Sequence, residues 1–317
     1  MKSAQFKRYG GSNVIEINQT TPTPTLTAGN VLVEIKAAGI NPIDWKIREG
    51  YMQQMIQLQF PSTLGMDFSG VIKQVGQEVI SSDFKQGDEV YGQAGVTNGG
   101  SGAFAELALA NIDHIAPKPR RLNHLEAAAL PLVGVSAWQA LFENIGLSKD
   151  QKIIIHGGAG GIGSISIQLA KKLGAYITTT VDANDKQFVE TLGADEVIDY
   201  KTQAFEELIH NYDAAYDTVG GETYAKSFRV LKTGGIIVSM LEQPNSALMQ
   251  QFGVKAIFQF TQVNKERLIR LADFVDQQDN IKIHIDKTFP LDEAAKALDY
   301  QKDLHPRGKI VLLTEKK

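Results

Sequence analysis

The sequence contains no cysteine in 317 residues, which excludes disulfides, thiolate metal ligands and cysteine nucleophiles. It also lacks any apolar run near the roughly 20 residues that cross a bilayer. Behind the N-terminal MKSAQFKRYG there is no apolar stretch of the kind a secretory signal needs. A soluble, cytoplasmic protein is the expectation. Charge of one sign is scarce: the net charge is −4, with no block of clustered Lys and Arg, so nucleic acid is not expected as a primary partner and no membrane partner is implied. None of the six histidines stands at metal-ligand spacing from another, and no hydrolytic triad stands out.

What is present is a chain 43% hydrophobic and longer than one compact domain usually runs. Two domains are therefore expected. Up to about Pro119 the pattern is of short strands punctuated by turns: Val31 to Ile40, Phe68 to Gly76 and Asp88 to Gln93. Thr21 to Thr25 reads TPTPT, and its two prolines predict an extended connector. From about Leu122, apolar runs alternate with amphipathic stretches: KIIIH, GIGSISIQLAKKLG, AYITTTV, NDKQFVETLG, DEVIDY. That alternation predicts βαβ units and a doubly wound parallel sheet, an α/β class. Asp213 to Val219, Gly234 to Met240 and Val254 to Phe260 complete six strands, with a helix around Tyr224 to Leu231. After a helix near Lys265 to Gln277, the tail reads strand (IKIHIDKTF), helix (LDEAAKALDYQ), strand (GKIVLLT), and is expected to rejoin the first domain.

The turn HGGAGGIG, His156 to Gly163, joins a buried-type strand to a helix. Gly158, Gly160, Gly161 and Gly163 allow a tight turn and a close approach to a pyrophosphate, which meets the free N–H groups of the helix start, with Ala159 and Ile162 between them. A strand-to-helix turn also needs glycine for structural reasons alone. The strand, the helix and the following βα repeats favour a dinucleotide site.

The order of a small β domain, PLVGVSAWQAL (Pro131 to Leu141), HGGAGGIGS, LGADEVIDY and DTVGG resembles the medium-chain dehydrogenase/reductase superfamily over nearly the whole chain. AAGINPIDWKIREG (Ala37 to Gly50) and PSTLGMDFSGVI (Pro61 to Ile72) are similar to its quinone oxidoreductase branch, in which Asn-Pro-x-Asp replaces a metal-binding stretch. Zinc-dependent relatives carry Gly-His-Glu where this chain has Gly65-Met66-Asp67, and their cysteine-rich zinc lobe is replaced by Gln93 to Phe104, QAGVTNGGSGAF. No metal is expected. The resemblance implies a GroES-like, mostly β catalytic domain (1–121 and 280–317), a Rossmann cofactor domain (122–279) and a homodimer. Without zinc as a Lewis acid, simple alcohols become poor substrates, whereas hydride addition to a quinone or enone produces a delocalised anion that hydrogen-bond donors can stabilise. The implied activity is NADPH-dependent reduction of quinones or activated alkenes such as 2-alkenals. Metal-free alcohol or ketone chemistry, and a redox-sensing binding protein, are the competing readings.

The same resemblance assigns site residues, each with a plainer alternative. Asn41 matches a cleft asparagine that hydrogen-bonds the substrate or the nicotinamide ribose, or it shapes a turn with Pro42. Asp44 and Lys46 orient each other or relay a proton, or form a solvated pair. Tyr51 supplies a phenol near the nicotinamide, or lies on the surface. The Ser136 hydroxyl reaches the cofactor, or caps a helix. Tyr200 lies against the adenine half, and Thr218, Val219 and Gly220 line the same edge. Ser239 and Met240 end a strand at the carboxyl edge and flank the nicotinamide, although core packing explains Met240 almost as well. Lys309, after Gly308, faces the cleft, or is a strand-edge lysine. His156 is read as packing beside the turn.

Asp182 lies about 20 residues past the glycines, where a carboxylate holds the ribose diol of NAD. Relatives similar at the TTV-x-A-N stretch are NADPH enzymes, which implies that Thr179, Thr180, Lys186 and Tyr200 surround a 2′-phosphate. The expected cofactor is NADP(H), with Asp182 repelling the phosphate unless its side chain turns away.

Overall fold

The computed structural model describes residues 1–79 and 83–314. The chain forms two compact units, Met1–Leu132 with Val263–Lys317, and Val133–Gln262.

Among the described residues, the first unit holds a seven-stranded sheet in the order Ile285–Pro290, Lys309–Leu313, Asn30–Ile40, Asp67–Val75, Glu89–Gln93, Ile115–Pro117, with Leu107–Asn111 also pairing Asn30–Ile40. A smaller sheet runs Ile15–Asn18, Ser3–Phe6, Ser62–Thr63. Val31, Val33, Ile35, Phe68 and Ile72 are buried and build the core between strand neighbours. TPTPT carries no strand. The tail does rejoin this sheet, as Ile285–Pro290 and Lys309–Leu313. The first of these begins four residues later than the apolar pattern of IKIHIDKTF predicts, with 281–284 outside any strand.

The unit boundaries also differ from expectation. The segments 122–132 and 263–279 belong with the first unit, because packing assigns them there. Helix His124–Ala128 sets Ala127 and Ala128 against Asn30–Ile40 and Asp67–Val75. Helix Lys265–Gln277 buries Leu268, Leu271 and Val275 and packs on Ile115–Pro117. Tyr91 donates its buried hydroxyl to the Leu268 carbonyl at 2.6 Å.

The second unit is a six-stranded, wholly parallel sheet in the order Glu196–Asp199, Tyr176–Val181, Lys152–His156, Tyr212–Asp217, Leu231–Ser239, Lys255–Phe258. Numbered along the chain this is 3-2-1-4-5-6, the doubly wound dinucleotide-binding order, whose ligands bind beyond the carboxyl ends of the strands. Ile153, Ile154 and Ile155 are all fully buried, as a strand covered on both faces requires. The helix expected at Tyr224 to Leu231 is Gly221–Ser227, and Leu231 instead opens the next strand.

Candidate active site

In the first unit, sheet register assembles a buried polar cluster from residues far apart in the chain. The antiparallel pairing that sets Ile310 opposite Ile40 brings Lys309, one residue earlier, beside Asn41. Asp67 stands directly opposite Gln93. Lys309 donates through Nζ to Oδ1 of Asn41 at 2.5 Å and to the Ile40 carbonyl. Gln93 Nε2 and the Leu132 N–H donate to the two oxygens of Asp67 at 2.8 and 3.0 Å. Asn98 Nδ2 in turn donates to Gln93 Oε1 at 2.7 Å, fixing which way that amide faces. The amide nitrogen of Asn41 favours the ionised form of Asp67, yet it makes no well-aligned hydrogen bond.

Asn41 is the N-cap of helix Pro42–Arg48, with Pro42 in the first turn. Asp44, at the third helical position, accepts the Asn41 backbone N–H at 2.8 Å, one half of a capping box. Turn shaping and a place in the polar cluster thus coexist at Asn41. Burial pushes the Asp44 carboxyl up to about 7, with the nearby Asp67 adding to the rise and the Asn41 N–H and Lys309 opposing it. Burial also raises Asp67, against the pull of Lys309, Asn41 and Gln93. Lys309 is lowered by the same desolvation, with Asp67 and Asp44 opposing. The strand-edge reading of Lys309 therefore fails: its side chain is interior.

The expected Asp44–Lys46 pairing is not formed. Residues two apart on a helix project from different faces; Asp44 is buried, while Lys46 is half-buried with its ammonium 5.7 Å from the Trp45 ring centre. Tyr51 is 72% exposed, its ring edge-on to Trp45 at 6.0 Å, which is the surface alternative.

In the second unit, the turn after Lys152–His156 leads into helix Gly161–Lys172, capped by Gly160. Ser164 makes the first helical bond, to Gly160 at 2.9 Å, so the N–H groups of Gly161, Ile162 and Gly163 precede the ladder. Gly157 has φ +73, a left-handed conformation. A Cβ on Gly163 would lie 2.2 Å from the Gly157 carbonyl oxygen. The helix start is thus pressed against the turn, leaving a cradle of backbone donors that suits a pyrophosphate. Gly157 was not among the glycines singled out from sequence; its position directly after the strand's last residue is the signal that marks it.

Several hydroxyls expected to face a cofactor are turned inward. Thr180 Oγ1 lies 3.0 Å from His156 Nδ1, and His156 Nε2 lies 2.9 Å from Ser227 Oγ. His156 is buried beside the turn, and desolvation lowers it to about 4. Thr179 donates to the Ile155 carbonyl at 2.6 Å. Both threonines are buried because this strand is covered on its two faces. Ser136 is no helix cap: it lies well inside Pro131–Trp138, buried, with its hydroxyl 2.7 Å from that of Thr261.

At the carboxyl edge, buried Asp217 accepts from the Val219 and Gly220 N–H groups at 3.0 and 2.9 Å and from Ser239 Oγ at 2.7 Å. The Thr218 hydroxyl donates to the His156 carbonyl at 2.8 Å, tying this loop to the glycine turn. Ser239 is therefore a structural link, whereas Val219 is exposed and Met240 half-buried at the same edge. Asp217 is a site residue that sequence reasoning passed over, though it closes the strand ahead of the Thr-Val-Gly-Gly that it holds. Tyr200 is 59% exposed, directly after the end of Glu196–Asp199. Lys186 is exposed at the start of its helix, 4.0 Å from Glu190. Asp182 accepts the Asn184 N–H at 2.9 Å and forms an ion pair with Lys201, a residue that sequence reasoning did not consider. That ion pair holds the Asp182 carboxyl below its ordinary range.

These features define one unit of the doubly wound, nucleotide-binding kind and one β unit with a buried polar cluster, a combination typical of two-domain dehydrogenases and reductases. Residues 27–120 match the family described as alcohol dehydrogenase GroES-like domain, and residues 192–312 the one described as zinc-binding dehydrogenase. The chain is 31% identical to the chloroplast envelope quinone oxidoreductase homolog of Arabidopsis thaliana, over 98% of each protein. It is 32% identical to 2-methylene-furan-3-one reductase of Solanum lycopersicum, over 98% of this chain and 79% of the relative. Among solved structures, it is similar to the quinone oxidoreductase of Coxiella burnetii (TM-score 0.90, 34% identity, 99% of each chain) and to that of Escherichia coli complexed with NADPH (TM-score 0.87, 27% identity, 99% and 100%). The chain belongs to the zinc-free quinone oxidoreductase branch of the medium-chain dehydrogenase/reductase superfamily, and it is an oxidoreductase. Among the described residues, no group of three or more His, Asp or Glu is arranged to hold a metal ion, and no helix is long and apolar enough to cross a membrane.

Proposed function

We propose that this protein reduces quinones or conjugated enones, including 2-alkenals, using NADPH. The observation that carries the reading is the Lys309–Asn41 hydrogen bond of 2.5 Å between two buried aspartates, in the unit where zinc-dependent relatives place their metal ligands. An ammonium and an amide are hydrogen-bond donors. Donors suffice for an acceptor whose negative charge delocalises on reduction, but they are a weak substitute for a Lewis acid at a simple alkoxide. NADPH, when bound, supplies the hydride. The Gly161 to Gly163 N–H groups receive the pyrophosphate, Asp217 holds the Thr218 to Gly220 loop in place, and Tyr200 covers the adenine. Asp44, with its carboxyl raised to about 7, holds a proton over part of the neutral range. The Escherichia coli structure with NADPH and the Solanum reductase support the choice of cofactor and of acceptor class.

The test is a steady-state screen of the purified protein with NADPH against quinones, 2-alkenals and simple alcohols or ketones. Turnover of the conjugated acceptors is expected, unaffected by chelators. Failure to oxidise NADPH with any of them, or turnover confined to simple ketones, would overturn the reading.

A further inference from the structure

Resting on that reading, we infer that Lys201 is the residue that selects the phosphorylated nicotinamide cofactor, acting through its ion pair with Asp182. The two residues follow the carboxyl ends of adjacent parallel strands, in which Val181 is paired with Asp199. The turn beyond the second strand is held by Asp199, which accepts the Lys201 N–H at 3.0 Å and the Thr202 hydroxyl at 2.8 Å. The Tyr200 N–H donates to the Val181 carbonyl at 3.2 Å. Lys201 is thereby presented over the strand end where Asp182 sits, and it pairs with the Asp182 carboxylate.

Asp182 occupies the position from which a carboxylate binds the 2′,3′-diol of an unphosphorylated adenosine ribose, and from which it would repel a 2′-phosphate. With Lys201 on it, that carboxylate is neutralised. Lys201 is 60% exposed on its side chain, so its ammonium has room to contact a phosphate while remaining near Asp182. An exposed ion pair of this sort contributes little to fold stability, which suits a pair that rearranges around a ligand. The hydroxyls of Thr179 and Thr180 are committed to Ile155 and His156, and Lys186 neighbours Glu190 on its own helix. Lys201, by contrast, is paired with the Asp182 carboxylate itself.

The experiment measures dissociation constants of NADPH and NADH, by nicotinamide fluorescence, for the full-length protein and its K201M, D182N and double variants at low and high salt. K201M should weaken NADPH about tenfold or more, leave NADH unchanged or tighter, and flatten the salt dependence of NADPH binding. D182N should do the reverse, tightening NADPH and weakening NADH. Opposite signs for the two cofactors distinguish selection from a structural role, which would move both together. Equal shifts for both cofactors, or none, in K201M would overturn the inference while the parent still binds NADPH. A parent that binds neither cofactor would overturn the reductase reading as well.

Discussion

Lys309 Nζ and Asn41 Oδ1 are hydrogen-bonded at 2.5 Å across 268 residues of sequence. A lysine ammonium can only donate, so this bond dictates which end of the Asn41 amide is the oxygen and leaves the nitrogen on the side of Asp67. The same ammonium offsets the buried charge of Asp67 and Asp44. K309M should lower stability by about 3 kcal/mol or more, because it strands buried carboxylates. Adding D67N should recover part of that loss. Urea unfolding of the two single variants and the pair measures the coupling, and strict additivity would refute it.

Stability should depend on pH through two opposing groups. The Asp44 carboxyl stands at about 7 in the folded protein against its ordinary 3.8. The folded state therefore binds this proton more tightly, and the contribution is full below pH 3.8 and lost as pH rises through about 7. His156 stands at about 4 against 6.5. Its contribution is present above pH 6.5 and is lost as pH falls through about 4. D44N should gain stability relative to the parent between pH 4 and 7. H156N should lose less than the parent on acidification. Denaturation midpoints over pH 3.5 to 8 provide the check, and curves parallel to the parent's would contradict both assignments.

D217A should leave the Val219 and Gly220 N–H groups and the Ser239 hydroxyl without their buried acceptor. A loss of about 3 kcal/mol is expected, with faster amide exchange at 219–220 and NADPH binding weakened about tenfold. D217N, which keeps an acceptor for the two N–H groups, should show a smaller effect. Equal effects from the two substitutions would argue against the loop-holding role.

G163A should displace the turn, since its Cβ would fall 2.2 Å from the Gly157 carbonyl oxygen. Affinity for NADPH should drop by about tenfold or more as the backbone donors lose their aim at the pyrophosphate. Titration of NADPH into the variant tests this; unchanged affinity would mean the cradle lies elsewhere.

Much of the second unit was legible without coordinates. Lys152–His156, Gly161–Lys172, Tyr176–Val181 and Glu196–Asp199 fall where the alternation of apolar runs and helical periodicity put them. The helix at Gly221–Ser227 ends before the apolar pattern does, because residues 228–230 form a turn and Leu231 opens the next strand. Of the candidate site residues, Asn41, Asp44 and Lys309 do converge, while Lys46 and Tyr51 lie outside that cluster. The hydroxyls of Thr180 and Ser136 have interior partners, His156 and Thr261, that lie far away in the chain and meet them only in the folded protein.

The amino-acid sequence by itself determined the kinds of element, the glycine turn between the first parallel strand and its helix, and, through the absence of cysteine, the absence of thiolate zinc sites. These are local or compositional properties, carried by periods of 2 and 3.6 residues and by glycine's missing side chain. Only the tertiary structure decided that Lys309 meets Asn41, that Gln93 faces Asp67, and that Lys201 pairs with Asp182. Each of these pairs depends on the register of neighbouring strands, and register is set by how distant segments pack rather than by anything either segment carries alone.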